Sequence, residues 1–307
     1  MRQVCLPEDD MEYRRRCLWE QHRRFLSPHA EKRSAMITST GNGRIRELVR
    51  LKKNAKDRAE RGVFLVEGPK MFREIPAALL QETYVAESFR KSAEGRKILA
   101  ETLPAGVRFD IVSDPVFQYV SDTRSPQGIL VVVKQLQYQT ADLLGNHTSP
   151  QTGKSPLIIT LENLQDPGNL GTVLRTAEAA GATGILLSDG CADIYSPKVT
   201  RSTMGSVFRV PFVCSHHFYE DLLYLKKVGV KLYAAHLNGS TDMYAESYAG
   251  PCAFLIGNES RGLTEEAVSL ADQAVRIPMS GKVESLNAAV AASVMLYEAK
   301  RQRAQRK

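Results

Sequence analysis

The sequence has no run of about 18 apolar residues, so it offers no candidate transmembrane helix. Its amino terminus carries no apolar stretch followed by a small-residue cleavage site, so no secretory signal is expected. Cysteine is scarce. Cys5, Cys17, Cys191, Cys214 and Cys252 are scattered with no CxxC pair, which fits reduced thiols in the cytoplasm. Histidine is sparse too. His216-His217 near Cys214 resembles half of a metal cluster, but no second ligand set has suitable spacing, so no metal is expected. There is no Walker-type loop, and no Ser-His-Asp arrangement can be read from the chain.

What is present is a globular balance of 43% hydrophobic and 24% charged residues, enough apolar material for a core. A length of 307 residues allows two ordinary domains. The net charge of +7 suits a polyanionic partner without requiring one.

Residues 1–42 read as an extension. Arg14-Arg-Arg16 and Arg23-Arg24 are offset by Glu8-Asp-Asp10, and the poor apolar spacing predicts a partly helical, poorly anchored arm, disordered in part. Met36 begins a stretch that reads more like a natural start. Residues 43–134 predict a compact α/β unit. A helix over 44–61 has apolar Ile45, Leu48, Val49 and Leu51, and its other faces are basic. Of these, Arg44, Arg46, Lys52 and Lys53 are candidate contacts to RNA. A strand at 62–66, a helix at 69–80 and strands at 83–86 and 107–112 follow. The apolar run 128–133 predicts a strand covered on both faces. Residues 135–155 have little that could form a core and read as a linker. From 156 to 307 strands (157–161, 184–188, 231–235, 252–256, 274–277) alternate with helices (169–180, 218–228, 264–270, 286–303). That pattern predicts a parallel sheet with helices on both faces.

Three motifs lie in this last part. The first is Asn163-Leu-Gln-Asp-Pro-Gly-Asn169-Leu-Gly171-Thr-Val-Leu-Arg175. Asp166-Pro167 looks like an N-cap followed by proline at the first helical position. Gly168 and Gly171 are expected to let a substrate approach the backbone. Leu170, Val173, Leu174 and Ala177 are spaced for burial, and Arg175 falls off that face, free to project into a cleft or to be an ordinary surface arginine. A nucleotide-binding turn with Asp189 on a ribose is a rival, but the loop is not G-x-G-x-x-G. The second motif, Leu255-Ile256-Gly257-Asn258-Glu259-Ser-Arg-Gly262, ends a strand with exposed backbone and a carboxylate that can orient a polar group, or is simply solvated. The third is Arg276-Ile277-Pro-Met279-Ser-Gly281-Lys-Val-Glu-Ser285-Leu286-Asn287. Ser285 and Asn287 can cap the next helix, whose small apolar start predicts burial in the interior or in a subunit interface. The basic tail Lys300-Arg301-Gln-Arg303-Ala-Gln-Arg306-Lys307 suits a solvated helix C-terminus, or RNA phosphates.

Taken in order, the three motifs resemble the SpoU (TrmH-type) RNA ribose 2′-O-methyltransferases of the SPOUT superfamily. Gly62-Val-Phe-Leu-Val-Glu-Gly68 is similar to the ribosomal-protein-like substrate-binding domain of members that act on large-subunit RNA. The resemblance implies an α/β fold, a parallel-sheet domain with a C-terminal trefoil knot, preceded by a smaller RNA-binding α/β domain. It implies S-adenosyl-L-methionine as donor, RNA as partner with 23S rRNA foremost, a homodimer with a shared active site, and no membrane. Transfer RNA as substrate, or a silent ribosome-assembly scaffold, are the alternatives. By position, Asn169, Arg175, Glu259, Ser285 and Asn287 match the family's catalytic positions. Gly257, Ile277 and Leu286, with the adjoining Ile256 and Met279, match its donor-binding loops. The family assigns the motif-one arginine to activation of the 2′-hydroxyl. An arginine stays protonated across the working pH range and is a poor general base, so Arg175 is expected to position the hydroxyl by binding the adjacent phosphate, with deprotonation the alternative. Asn258 stands where many relatives have a small residue.

Overall fold

The computed structural model describes residues 36–104, 107–145, 155–237 and 241–305. Residues 1–35 of the expected extension and 146–154 of the expected linker lie outside them.

Asn42 accepts the Arg44 N–H and caps α1 (Gly43–Lys53), which buries Ile45, Leu48 and Leu51. The helix expected to run to 61 breaks at Asn54. Its backbone turns extended (φ −123°, ψ 118°), and its side chain caps α2 (Ala55–Arg61) by accepting the Lys56 N–H, the competition that disfavours Asn inside helices. Then come β1 (Val63–Glu67) and α3 (Pro69–Glu74). The helix expected to reach 80 stops early because Pro76 excludes the helical region for Ile75, which is extended at φ −71°, ψ 120°. The unit is completed by β2 (Leu80–Ala86), α4 (Glu87–Lys91), α5 (Ala93–Thr102), β3 (Asp110–Val112), α6 (Asp114–Val120) and β4 (Ile129–Lys134). The sheet order is β1-β4-β2-β3, with β4 antiparallel to both neighbours and β2 parallel to β3.

Strand alternation sends side chains to two different cores. Leu65, Leu130 and Val132 pack with Leu48 and Phe117 of α1 and α6. Phe64, Val66, Ile129, Val131 and Val133 belong instead to one apolar cluster with Tyr195, Phe208 and Phe212. The Phe64 ring lies 4.7 Å from that of Tyr195 and 6.0 Å from that of Phe208. The apolar run in β4 is therefore covered on both faces, one of them by the C-terminal half of the chain.

Two expectations need correction here. Residues 36–42 are anchored: Ile37 bridges Val112 in parallel and is buried. The start of the compositional linker is also anchored. Leu136 exchanges backbone hydrogen bonds with Tyr195 Oη (3.0 and 2.8 Å), and a 3₁₀ turn over Thr140–Leu144 buries Leu143 completely. Composition misses both because their partners come from segments distant in sequence.

The second half runs β5 (Leu157–Leu161), α7 (Pro167–Ala180), β6 (Gly184–Ser188), α8 (Pro197–Ser202), β7 (Phe212–Ser215), α9 (Phe218–Lys227), β8 (Lys231–Ala235), β9 (Thr241–Asp242), β10 (Cys252–Ile256), α10 (Glu265–Leu270), β11 (Gln273–Arg276) and α11 (Ala288–Ala304). Its seven strands are all parallel, in the order β7-β6-β5-β10-β8-β11-β9. Leu170, Val173 and Leu174 of α7 and Ala292, Met295 and Leu296 of α11 cover one face with Ile159 and Phe254. Leu222 and Leu225 of α9 and Ala267 of α10 cover the other with Ile158 and Ala253. Arg303 is no solvated tail residue; it donates to the carbonyls of Ser155, Pro156, Tyr248 and Gly250 and ties the last helix to β5 and β10. None of the described helices is long and apolar enough to cross a membrane.

Candidate active site

The first two motifs leave the carboxyl ends of adjacent strands, since Ile256 of β10 pairs with Leu161 of β5. The third leaves β11, on the far side of β8. Loops at the carboxyl ends of parallel strands are where such sheets bind ligands.

Glu259 draws the first two motifs together. Its carboxylate accepts hydrogen bonds from the backbone N–H groups of Gln165 (3.2 Å) and Asp166 (3.0 Å) and from Asn169 Nδ2 (3.0 Å). Asn169 Oδ1 in turn accepts from Asn287 Nδ2 at 3.0 Å. Asn287 caps α11 by accepting the N–H groups of Ala289 and Val290. Three loops are thus joined in one chain, Glu259–Asn169–Asn287. Burial pushes the Glu259 carboxyl up, but the bonds from Asn169 and from the Asp166, Glu259 and Gln165 backbone outweigh it and hold the group below the ordinary 4.5. The expected capping of α7 is present: Asp166 accepts the Asn169 N–H at 2.8 Å, with Pro167 in the first turn.

Other polar groups secure the same loops, and of these sequence reasoning did not single out Glu162. Glu162, 1% exposed, accepts from Tyr219 Oη, Thr264 Oγ1 and the Thr264 N–H, so the end of β5 anchors the start of α10. Asn163 adopts a left-handed φ of 55°, and its carbonyl accepts from Asn258 Nδ2. Asn258 Oδ1 also accepts the N–H groups of Ser260 and Arg261. The unusual Asn258 is therefore a brace between the first two motifs. The available signal was a polar pair, Glu162-Asn163, ending an otherwise apolar strand.

Gly257 is buried, and a Cβ there would lie 2.1 Å from the carbonyl carbon of Gly262 and 2.2 Å from the Leu263 nitrogen. The loop folds back on its own backbone where no side chain fits. Gly171 has a different purpose from the one expected. A Cβ there would sit 2.6 Å from Ser202 Cβ, so this glycine admits α8 against α7 rather than a substrate.

Of the remaining candidates, Ile256 is buried, Ile277 and Leu286 are half-buried and Met279 is exposed. Ser285 is exposed on the loop before α11 and does not cap it; that helix starts at Ala288, later than expected. Nor is α11 apolar-buried all round, because Val290 and Tyr297 are each 48% exposed. Arg175 is exposed and has no hydrogen-bond or ion-pair partner among the described residues. It stands about 9 Å along α7 from Asn169, and no bond joins it to the Glu259 chain. Arg44 is paired with Asp110, and Lys52 donates to the Tyr119 and Ser121 carbonyls (3.3 and 3.0 Å). Arg46 and Lys53 have no such partner among the described residues. Asp189 pairs with His216 at 2.7 Å. Among the described residues no group of three His, Cys, Asp or Glu could hold a metal ion.

Comparison with known proteins gives this geometry a family. Residues 156–297 match the SpoU rRNA methylase family, and residues 42–131 match the MRM3-like substrate binding domain. A 23S rRNA guanosine 2′-O-methyltransferase of Bacillus subtilis is 31% identical over 85% of this chain and 97% of its own length. An uncharacterized tRNA/rRNA methyltransferase of Synechocystis is 34% identical over 87% and 94%. Among solved structures, an AdoMet-bound rRNA methyltransferase from Sinorhizobium meliloti superposes with a TM-score of 0.74 at 32% identity, covering 87% of this chain and 97% of that one. The SpoU methyltransferase AviRb from Streptomyces viridochromogenes gives 0.72 at 27%, covering 87% and 99%. The chain belongs to the SpoU rRNA methylase family, and it is a methyltransferase.

Proposed function

We propose that this enzyme transfers a methyl group from S-adenosylmethionine to a ribose 2′-hydroxyl of large-subunit (23S) rRNA. The observation that carries the reading is the Glu259–Asn169–Asn287 chain, which binds the loops after β10 and β11 to the start of α7. These loops suit the donor: they lie at strand ends and offer a glycine that admits no side chain and the half-buried apolar Ile277 and Leu286. When bound, S-adenosylmethionine supplies a methyl group on a positively charged sulfur. Ile256, Gly257, Ile277, Met279 and Leu286 hold it. Glu259, Asn169 and Asn287 fix the loops around it, and Ser285 lines the same approach. Arg175 binds the phosphate beside the target ribose and aligns the hydroxyl for in-line attack. Holding nucleophile and methyl carbon in register supplies much of the rate.

The loops leaving β10 and β11 form the trefoil knot in this reading, and the enzyme is a cytoplasmic homodimer. Two observations support the dimer: Val290 and Tyr297 expose an apolar face of α11, and Arg175 finds no partner in its own chain among the described residues. Residues 43–134 and 156–307 act as RNA-binding and methyltransferase domains, with Arg46 and Lys53 the open cations of α1.

The test is methyl transfer from labelled S-adenosylmethionine to deproteinised large-subunit, small-subunit and transfer RNA in parallel. Alkali-resistant label in large-subunit RNA is expected. Label confined to transfer RNA overturns the substrate assignment, and absence of donor binding overturns the reading altogether.

A further inference from the structure

On α7, Gly171, Arg175 and Glu178 share one face, spaced i, i+4, i+7. The residues flanking Arg175 show what that face meets. Gly171 abuts Ser202 at the end of α8. Glu178 accepts from Ser206 Oγ (2.5 Å) and Arg209 Nη2 (3.1 Å). Arg175 therefore emerges beside the 202–206 turn. That turn holds Met204 at a φ of 51°, a left-handed conformation that side chains rarely adopt, with the residue 47% exposed.

Met204 forms one wall of a cleft of about 270 Å³, whose other wall is α3 with Lys70, Met71, Arg73 and Glu74. The cleft thus lies on the seam between the two halves of the chain. Its charges are unevenly spent. Glu74 is paired with Arg209, and Arg73 faces Glu101 only at 3.8 Å across exposed surface. Lys70 has no polar partner among the described residues. An exposed thioether facing an unpaired lysine offers what a nucleotide needs, an apolar surface for the base and positive charge for its phosphate.

We propose that this cleft is a nucleotide subsite, taking an RNA residue next to the one methylated, with Met204 against its base and Lys70 on its phosphate. The inference rests on the RNA methyl-transfer reading above. It makes target selection depend on both halves of the chain at once, on the turn that the Arg175 face of α7 packs against.

The test uses the full-length chain with Met204→Gly and Lys70→Ala, measuring thermal stability, S-adenosylmethionine binding, RNA binding at several salt concentrations, and methyl transfer to large-subunit RNA. Glycine accepts the φ of position 204 freely, so Met204→Gly should keep or raise the melting temperature and leave donor affinity unchanged. It should raise KM for RNA about five- to tenfold. Lys70→Ala should weaken RNA binding to a similar degree and reduce its salt dependence by about one phosphate contact. If the wild type methylates RNA and both variants match it, the subsite is overturned and the function stands. If the wild type binds donor but methylates no RNA, the function falls and the subsite with it.

Discussion

Gly257→Ala is the sharpest probe of how the donor loops are built. The added methyl would meet backbone atoms at 2.1 to 2.3 Å, where real Cβ contacts stay above 3.0 Å. No side chain can rotate away, so the loop from Gly257 to Leu263 has to open by about 1 Å, an overpacking that costs about 1–3 kcal/mol. The strain falls on a loop that also carries Glu259, two residues on, and so reaches Asn169 and Asn287 through their hydrogen bonds. A displacement of about 1 Å near a reacting centre lowers rate by about 100-fold. The expected result is a loss of a few degrees in melting temperature, at least tenfold weaker S-adenosylmethionine binding by calorimetry, and kcat/KM for methyl transfer down by about 100-fold. A variant that melts, binds donor and transfers methyl like the wild type would refute the reasoning, because the loop could not then be fitted against its own backbone.

Arg175→Ala should lower methyl transfer by about 100-fold while S-adenosylmethionine affinity holds, and Arg175→Lys should recover only part because the bidentate fork is gone; near-normal transfer by the alanine variant would sink the positioning role. Glu259 has a carboxyl pKa held down in the folded protein, so its stabilising effect is present above the unfolded value and is lost as pH falls through the folded one. Donor binding should accordingly be level above the ordinary carboxyl value of 4.5 and be lost only as pH falls below it, and a drop of the same size in Glu259→Gln would show that another group titrates. Arg58 is 4% exposed, pairs with Asp193 and donates to the Leu51 carbonyl at 2.6 Å. Arg58→Ala strands the Leu51 carbonyl and the half-buried Asp193 carboxylate and should cost about 2 kcal/mol in urea unfolding, a loss below about 1 kcal/mol contradicting a clamp at this seam.

Much of the second half was legible because its strands are continuous apolar runs; those over 157–161, 184–188, 231–235 and 252–256 lie where periodicity puts them. β7 was missed because Phe212-Val-Cys-Ser215 is short and ends in polar residues, and β9 because it is only Thr241–Asp242. Helix lengths failed where one residue overruled the periodicity, Asn54 by capping and Pro76 by sterics. In the site, residue types were visible but pairings were not. Nothing in the spacing says that Glu259 receives the Asn169 amide, or that Gly171 faces Ser202, since these contacts join segments far apart in sequence. Arg175 remains where the sequence left it, exposed on α7.

The Phe64 ring, seated between Tyr195 and Phe208, has a consequence for how the enzyme measures RNA. A module on a flexible tether gains only local concentration and can serve sites at many separations. Here the first sheet shares its apolar face with the second half and is pinned by Arg58–Asp193, Arg201–Asp122 and Arg209–Glu74. The span from the first sheet to the motif loops is therefore a fixed gauge. Exchanging this sheet for one from a relative requires recutting that seam, and changing the gauge is a route to moving the methylated position along the RNA.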